Sequence, residues 1–450
     1  MNDRRHTAVS ENGPWDYRTV ILCILLFLLP LVVRFSSIPP LAHLIGIKVQ
    51  PLEISFVVLL PLYLVFAARR GKLRFTPPTG WLVFLGFVVV CLVSSLLSVK
   101  PAKSLVDTIG FFYLLVLYFF FYALLGKRSA VMVSIRIFLV VSTLVAFIGL
   151  LAYWAYMIFG YQTFAVEVVN DFFGVKAVRV NSTFFTCNHL VIYLGFALAI
   201  ALSFFGSREK RIFKILSVCL IIMTCSFILT GLYRGAFMIW GVLFFGTRDL
   251  KKTRWIRVLR GGFLGLTILF LSLFVFQGYM DVAPIEVAHD RAAERLGVSI
   301  STRPSIYAEL HKTAAEIATE HPVLGVGPGL YNVYMVMPKY GFDFISYPFY
   351  GLDPHSTYLG YGAETGALGV LFLVVFFVVI HRRAGVAANA GDYVGRRLGA
   401  LFRIYFSFLL VYALFIDIVT IRFLYFAYAL ISALADQTGT TAENGAPEVG

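Results

Sequence analysis

The sequence predicts an all-α, polytopic membrane protein with about twelve transmembrane helices and one large loop. Three observations predict it. Of the 450 residues, 59% are apolar and only 14% charged, with 44 Phe, too little polar surface to disperse a soluble domain of that size. Apolar runs near the ~20 residues needed to cross a hydrocarbon core recur along the chain, Trp81 to Ser98 and Leu105 to Leu125 among them. The basic residues fall in short clusters between those runs and not on one amphipathic face, so the net charge of +14 reads as topology and gives no reason to expect nucleic acid as a partner.

Taken in order, the first run, Thr19 to Val33, is followed by Arg34 without a small-x-small cleavage site, and it reads as a span and not as a signal peptide. The spans are 19–36, 51–68, 80–98, 105–125, 131–159, 184–206, 212–230, 235–246, 261–278, 358–380, 398–417 and 422–436. The basic clusters, from Arg4 and Arg5 to the group between Arg382 and Arg403, fall on one side of this layout, which places both termini in the cytoplasm. Segments 161–182 and 278–357 then lie outside, on the periplasmic face. The chain divides into nine spans over 1–277, the large loop over 278–357, three spans over 358–436 and a polar tail over 437–450, which its small-residue composition predicts to be disordered. The run Gly235 to Gly246 is too short to cross alone, so the segment around Gly231 to Gly235 is expected to turn below the membrane surface, where irregular backbone needs protein or a watery cavity around it. Five cysteines, four of them inside apolar runs, indicate neither a disulfide framework nor a metal site.

Within the large loop, Ser301 or Thr302 is expected to cap a helix with Pro304 in its first turn, running to about Glu320 with Ile306, Leu310, Ala314 and Ile317 as its apolar stripe. His321-Pro322 and Gly325-Val326-Gly327-Pro328-Gly329 end it.

Few residues are left to carry chemistry. Arg234, in Thr230-Gly231-Leu232-Tyr233-Arg234-Gly235, stands at the inferred membrane-depth turn, where a cation is costly unless paired; the plain alternative is a snorkelling interfacial arginine. Arg179, before Asn181-Ser182-Thr183 and near Asn188-His189, is a similar candidate. Arg303 opens the predicted loop helix, where its charge opposes the helix dipole and an anionic ligand would offset the cost. His355, in Leu352-Asp353-Pro354-His355-Ser356-Thr357-Tyr358, lies where the chain re-enters the membrane; a capping turn worked by Asp353 or Ser356 is the alternative. Glu364 shares a helix face with Thr357, Tyr361 and Leu368, and is either functional or a partner for an arginine. Gly362, Gly366 and Gly369 suit close helix packing. Structural readings lead for His189, for His311 on the polar side of the loop helix and for His321 at its end, and Asp417 and Arg422 flank a turn across which they could pair. The chain has no phosphate loop and no Asp-x-Asp pair of the kind nucleotide-sugar transferases use with a metal.

The run Thr302-Arg303 to Gly329, with Glu320-His321-Pro322-Val323-Leu324-Gly325 inside it, then His355-Ser356-Thr357-Tyr358-Leu359 and Glu364-Thr365-Gly366-Ala367-Leu368-Gly369, resembles the O-antigen ligase and polymerase superfamily over about 190 residues from Arg179. Tyr233 and Ser356 stand where that superfamily usually has Ser and Asn. The resemblance implies a membrane-embedded glycosyltransferase fold of the GT-C-like type, a glycan donor on undecaprenyl diphosphate, a lipid A-core or other glycan acceptor, membrane lipid as surroundings, and no metal or other cofactor. It implies His355, Arg234 and Arg303 as catalytic residues and Arg179, Asn188, His321, Tyr358 and Glu364 as substrate-binding ones. The residue types permit this chemistry. A departing diphosphate needs positive charge, which the three arginines supply, and an acceptor hydroxyl needs a base, for which His355 is the best-placed residue. Direct displacement inverts the anomeric centre. A ligase, a polymerase and a protein O-oligosaccharyltransferase would share this chemistry; neither outer loop has the arginine eleven residues before a glycine that polymerases often show, which favours the ligase. A lipid-linked oligosaccharide flippase would need polar residues across the whole bilayer, whereas here they gather on one side.

Overall fold

A computed structural model describes residues 16–31, 50–69, 76–161, 165–170, 176–184, 186–205, 207–230, 233, 235–248, 254–284, 300–304, 306–340 and 353–443. Each of the twelve apolar segments contains a helix: α1 (Tyr17–Leu28), α2 (Pro51–Arg69), α3 (Trp81–Leu97), α4 (Pro101–Leu124), α5 (Arg128–Phe159), α6 (Cys187–Ser203), α7 (Arg211–Thr230), α8 (Ala236–Gly246) and α9 (Arg254–Tyr279), and beyond the large loop α12 (Thr357–Ala387), α13 (Tyr393–Tyr412) and α14 (Arg422–Glu443). By length and composition α2, α4, α5 and α12 can each cross a membrane, while α1, α3, α6 and α8 are apolar but shorter. Large side chains such as Val57, Leu97 and Ile109 point outward. In water such a belt would drive aggregation, and against acyl chains it is the expected surface of a membrane protein.

The centre is α6, in which every residue from Leu190 to Ser203 is buried. A helix apolar all round must be surrounded, and α5, α7, α8 and α13 surround it. α14 forms a second buried column, packed on α4 and α12. Polar groups tie helices together inside the bundle: Ser95 Oγ lies 2.8 Å from both Ser104 Oγ and Thr108 Oγ1, joining α3 to α4. α14 continues past Asp436, against the expectation of a disordered tail from 437, because Asp436 takes the Tyr122 hydroxyl at 2.6 Å and pairs with Arg383 while Gln437 meets Arg128 at 3.3 Å. These contacts extend the helix beyond its apolar run.

The two loops on the site's side of the bundle each hold a short antiparallel hairpin, β1 (Val166–Asn170) with β2 (Lys176–Val180), and β3 (Met280–Pro284) with β4 (Ile300–Pro304). The second hairpin corrects the expectation that Ser301 or Thr302 caps a helix containing Pro304. Residues 300–304 pair with 280–284, and helix α10 begins only at Ile306 and ends at Glu320. Arg303 therefore stands on a strand, opposite Asp281 in the register, and the helix-dipole argument for it lapses. Leu310, Ala314 and Ile317 are buried as the stripe predicts, with α10 lying along α12. His311 and Thr313 are buried too, so His311 is not on a polar face. α10 is covered by α12 on one flank and by the turn bearing Phe415 on another, which makes its buried arc wider than the apolar stripe.

Candidate active site

The site is built on a break in α12. Gly366 has φ +66° and ψ −170°, a backbone that side chains with a Cβ do not tolerate, and it interrupts the helix ladder. Backbone groups freed inside a membrane protein must find partners. Here the glycine loop after α10 supplies them: Val326 N–H donates to the Ala363 carbonyl at 3.0 Å and Gly327 N–H to that of Glu364 at 2.9 Å. In return Ala367 N–H donates to the Pro322 carbonyl at 2.8 Å. Ser94 Oγ on α3 donates to the Leu324 carbonyl at 2.6 Å. The approach is close enough that a Cβ on Gly325 would sit 2.3 Å from the Glu364 carbonyl carbon, and one on Gly366 2.3 Å from that of Val323. Of the three glycines expected to serve helix packing, Gly366 is thus a helix break. The break also interrupts the face expected to join Glu364 with Leu368, and Leu368 is exposed.

Glu364 faces this loop. Its Oε1 accepts from Tyr331 N–H at 3.3 Å, and the Gly329 amide reaches the same carboxylate. Tyr331, which opens the one-turn helix α11 (Tyr331–Tyr334), donates its hydroxyl to the Leu310 carbonyl at 2.9 Å. α12, the glycine loop and α10 are thereby locked together, and among the described residues backbone amides are what meets the Glu364 carboxylate.

His355 stands at the other end of this unit, one residue before the Ser356 cap of α12, whose Oγ accepts from Leu359 N–H at 3.3 Å. Its φ is +48°, uncommon for any residue but glycine. Asp353 Oδ1 lies 2.9 Å from His355 Nδ1 and accepts the His355 backbone N–H at 3.0 Å. Asp353 is exposed at this turn, yet surrounding protein partly desolvates its carboxylate and opposes the charge; the hydrogen bonds and charge of His355 outweigh that and hold it below the usual carboxylate range. The following residue but one, Thr357, is pinned to the turn between α13 and α14 by its N–H to the Ala413 carbonyl at 2.9 Å and its hydroxyl to that of Ile416 at 2.8 Å. From α10, the Tyr307 ring lies 5.3 Å from the His355 ring, and a ring N–H of His311 donates to the His355 backbone.

Other candidates divide by what they touch. His189, in the first turn of α6, and Arg422, at the start of α14, lie in mutual electrostatic reach, and the field of Asp353 extends to His189. Arg422 does not pair with Asp417. It reaches across to Glu53 on α2, while Asp417 is turned onto the Val419 N–H at 2.9 Å and the Thr420 hydroxyl at 2.9 Å. Asn188 Oδ1 accepts the Tyr412 hydroxyl at 2.8 Å, and the Tyr358 hydroxyl donates to the Leu410 carbonyl at 2.9 Å, so both are engaged with α13. His321 packs edge-on against Tyr334 at the far end of α10, about 15 Å along the helix from His311, and is not gathered with His355. Arg179, on β2 opposite Glu167, neighbours Val180, whose N–H donates to the Tyr233 hydroxyl at 2.5 Å. Arg234 lies outside the described residues, as does the side chain of Arg303. Of the two α10 residues beside His355, His311 was expected to be structural and Tyr307 was not singled out; their i, i+4 spacing was the available signal.

Residues 233–374 match the family profile described as O-antigen ligase, a stretch that runs from the buried Tyr233 through the large loop to the middle of α12. Arg179 and Asn188 precede it. No curated protein matches the chain. The resemblance to the O-antigen ligase superfamily carried by the residues around Arg303, Gly325 and His355 holds, and with it a general expectation of glycosyl transfer between a lipid-linked glycan and a glycan acceptor.

Proposed function

We propose, with the O-antigen ligase signature over residues 233–374 as the premise, that the chain moves a glycan (O-antigen) from undecaprenyl diphosphate to a sugar hydroxyl of lipid A-core at the periplasmic face of the inner membrane. All twelve apolar helices span in this reading, with both termini cytoplasmic, in a GT-C-like arrangement. The observation that carries it is the contact between His355 Nδ1 and Asp353 at 2.9 Å, at the mouth of a helix that re-enters the bundle inside the family-matched stretch. A proton on Nδ1 bonded to Asp353 leaves Nε2 as an acceptor. Nε2 takes the proton of the acceptor hydroxyl as that oxygen attacks the anomeric carbon from the face opposite the diphosphate. The bond from that carbon to the diphosphate oxygen breaks, the configuration inverts, and the leaving polyanion is held by Arg234 and Arg303, with Arg179 near the same face. Guanidinium groups supply the charge a divalent metal would otherwise bring, so transfer is proposed to proceed without one. Glu364 and Asn188 shape the site through the backbone and α13 contacts described above.

The test is a transfer assay with purified protein, undecaprenyl-diphosphate-linked glycan and either lipid A-core or a second lipid-linked glycan as acceptor. Product on lipid A-core is expected, surviving excess chelator, with His355→Ala lowering turnover by ~10²- to 10⁴-fold at nearly unchanged donor KM. Growth of the lipid-linked chain alone would make the protein a polymerase, and transfer to neither acceptor would sink the reading. Asn tolerates the left-handed backbone at position 355. Near-wild-type turnover in His355→Asn would therefore leave His355 a turn residue and not a base.

A further inference from the structure

The His355 turn is held in a conformation that its own residue type does not favour, with φ +48°. Strain of that kind persists only where the surroundings over-determine it. Asp353 supplies part of the restraint from within the turn, through Nδ1 and the backbone N–H. Thr357 adds to it through the turn at 413–416, and a third restraint comes from α10, a helix more than thirty residues earlier in sequence. Tyr307 sets its ring 5.3 Å from that of His355, and one helical turn later His311 bonds the His355 backbone. His311 is only 7% exposed, with its ring 5.2 Å from that of Phe415 on the turn that also anchors Thr357. A polar ring is costly to bury for packing alone, and a leucine would fill the space without that cost.

We infer that Tyr307 and His311 are positioning residues: α10 clamps the turn at 353–357 so that His355 keeps Nδ1 on Asp353 and presents Nε2 to the acceptor hydroxyl. The inference rests on the role proposed for His355. It gives the large-loop helix a task beyond covering α12, since displacing α10 would release the base without touching it. His311 contacts neither donor nor acceptor and acts only through the backbone of His355.

The experiment compares His311→Leu, His311→Gln, Tyr307→Phe and Tyr307→Ala in the transfer assay, with amide exchange at 353–357 followed on the same preparations. His311→Leu keeps the packing volume and loses the donor; it should lower kcat about tenfold with donor KM within about twofold, equivalent to ~1.4 kcal/mol in the barrier. His311→Gln retains an N–H that can reach the same carbonyl and should recover most of the rate. Tyr307→Phe should resemble wild type and Tyr307→Ala should resemble His311→Leu. Placed in a His355→Ala background, His311→Leu should cost nothing further, because the two act as one unit. Wild-type kcat in a well-folded His311→Leu protein overturns the inference, as does an equal loss with and without His355. Should His355→Ala prove fully active, the proposed base fails. The clamp is then judged on exchange: faster exchange at 353–357 in His311→Leu but not in His311→Gln sustains it, and unchanged exchange overturns it.

Discussion

The two hairpins on the site's side are built alike and fastened differently. Each is five residues on five, each carries a candidate arginine on its second strand, and each sets an acid opposite it in the register: Glu167 across from Arg179, and Asp281 across from Arg303. The first is pinned by two buried hydroxyls, that of Tyr233, which accepts the Val180 N–H, and that of Ser182, which donates to the Val145 carbonyl on α5 at 2.6 Å. The second leads directly into α10, and α10 is locked to α12 through the glycine loop, Tyr331 and the break at Gly366. One arginine thus stands on a hairpin held by a local anchor and the other on a hairpin held by a whole supporting unit, which is also the unit that touches His355. A ligand bound by both arginines would report on both.

Removing each arginine in turn gives the largest expected effect. If both hold the donor diphosphate, Arg303→Ala should cut transfer about ten- to a hundredfold, as expected for losing a charge-assisted contact of roughly 1.5 to 3 kcal/mol. Arg179→Ala should cost less, since it precedes the family-matched stretch. Lysine should restore either one only in part, because an ammonium lacks the planar fork. Steady-state transfer with titrated donor separates the outcomes. Equal and full activity in both alanine variants would detach the hairpins from the donor altogether.

A smaller effect separates the two fastenings. Gly366→Ala forces a Cβ into a backbone region that only glycine occupies freely and against the Val323 carbonyl carbon, and should destabilise the α10–α12 unit by ~1–3 kcal/mol. Tyr233→Phe leaves the buried Val180 N–H without its acceptor, a loss of about the same ~1–3 kcal/mol, but on the other hairpin. Amide exchange should then rise at 306–331 in the first variant and at 176–180 in the second. Exchange rising in both regions for either variant would show that the two hairpins are one cooperative unit.

What the sequence made legible follows the range of the interactions. The twelve apolar segments, the end of α10 at Glu320 and its Leu310–Ala314–Ile317 stripe are local periodicities, and each has a helix where it was read. The β3–β4 pairing escaped because it joins residues some twenty apart, and Ser301-Thr302-Arg303-Pro304 taken alone reads as a helix start. The break in α12 escaped for a similar reason: Gly366 looks like a packing glycine until residues 322–327 arrive to satisfy the backbone it frees. His311 looked polar-faced because the expected stripe took in one neighbour of α10, and the structure packs the helix on more than one side. At the site, His355 and Asp353 are two residues apart and meet, whereas Asp417 and Arg422, five apart and expected to be able to pair across a turn, turn away from each other.

The smallest expected effect concerns a contact that the second hairpin's unit has at its far end. Glu320 Oε2 accepts from Lys339 Nζ at 2.7 Å and from the Tyr340 hydroxyl at 2.8 Å, tying the last turn of α10 to the chain that follows α11. The bond from Lys339, then that from Tyr340, holds the Glu320 carboxyl below its ordinary range, although the group is solvent-exposed and its contribution is screened. A lowered folded value means that, between the folded and unfolded pKa, the unfolded chain carries the proton and the folded one does not. The stabilisation is therefore fully present above the unfolded value of ~4.3 and is lost as pH falls through the folded one. Glu320→Gln should lower the melting temperature slightly at neutral pH, by less than Gly366→Ala does. The gap from wild type should narrow as pH falls below the unfolded value of ~4.3 and through the lower folded one, where wild type loses the same charge. Melting curves of the two proteins across that window check it; a gap that persists unchanged at low pH would mean that the pair holds by its neutral hydrogen bonds and that the carboxylate charge contributes nothing to the docking of α10.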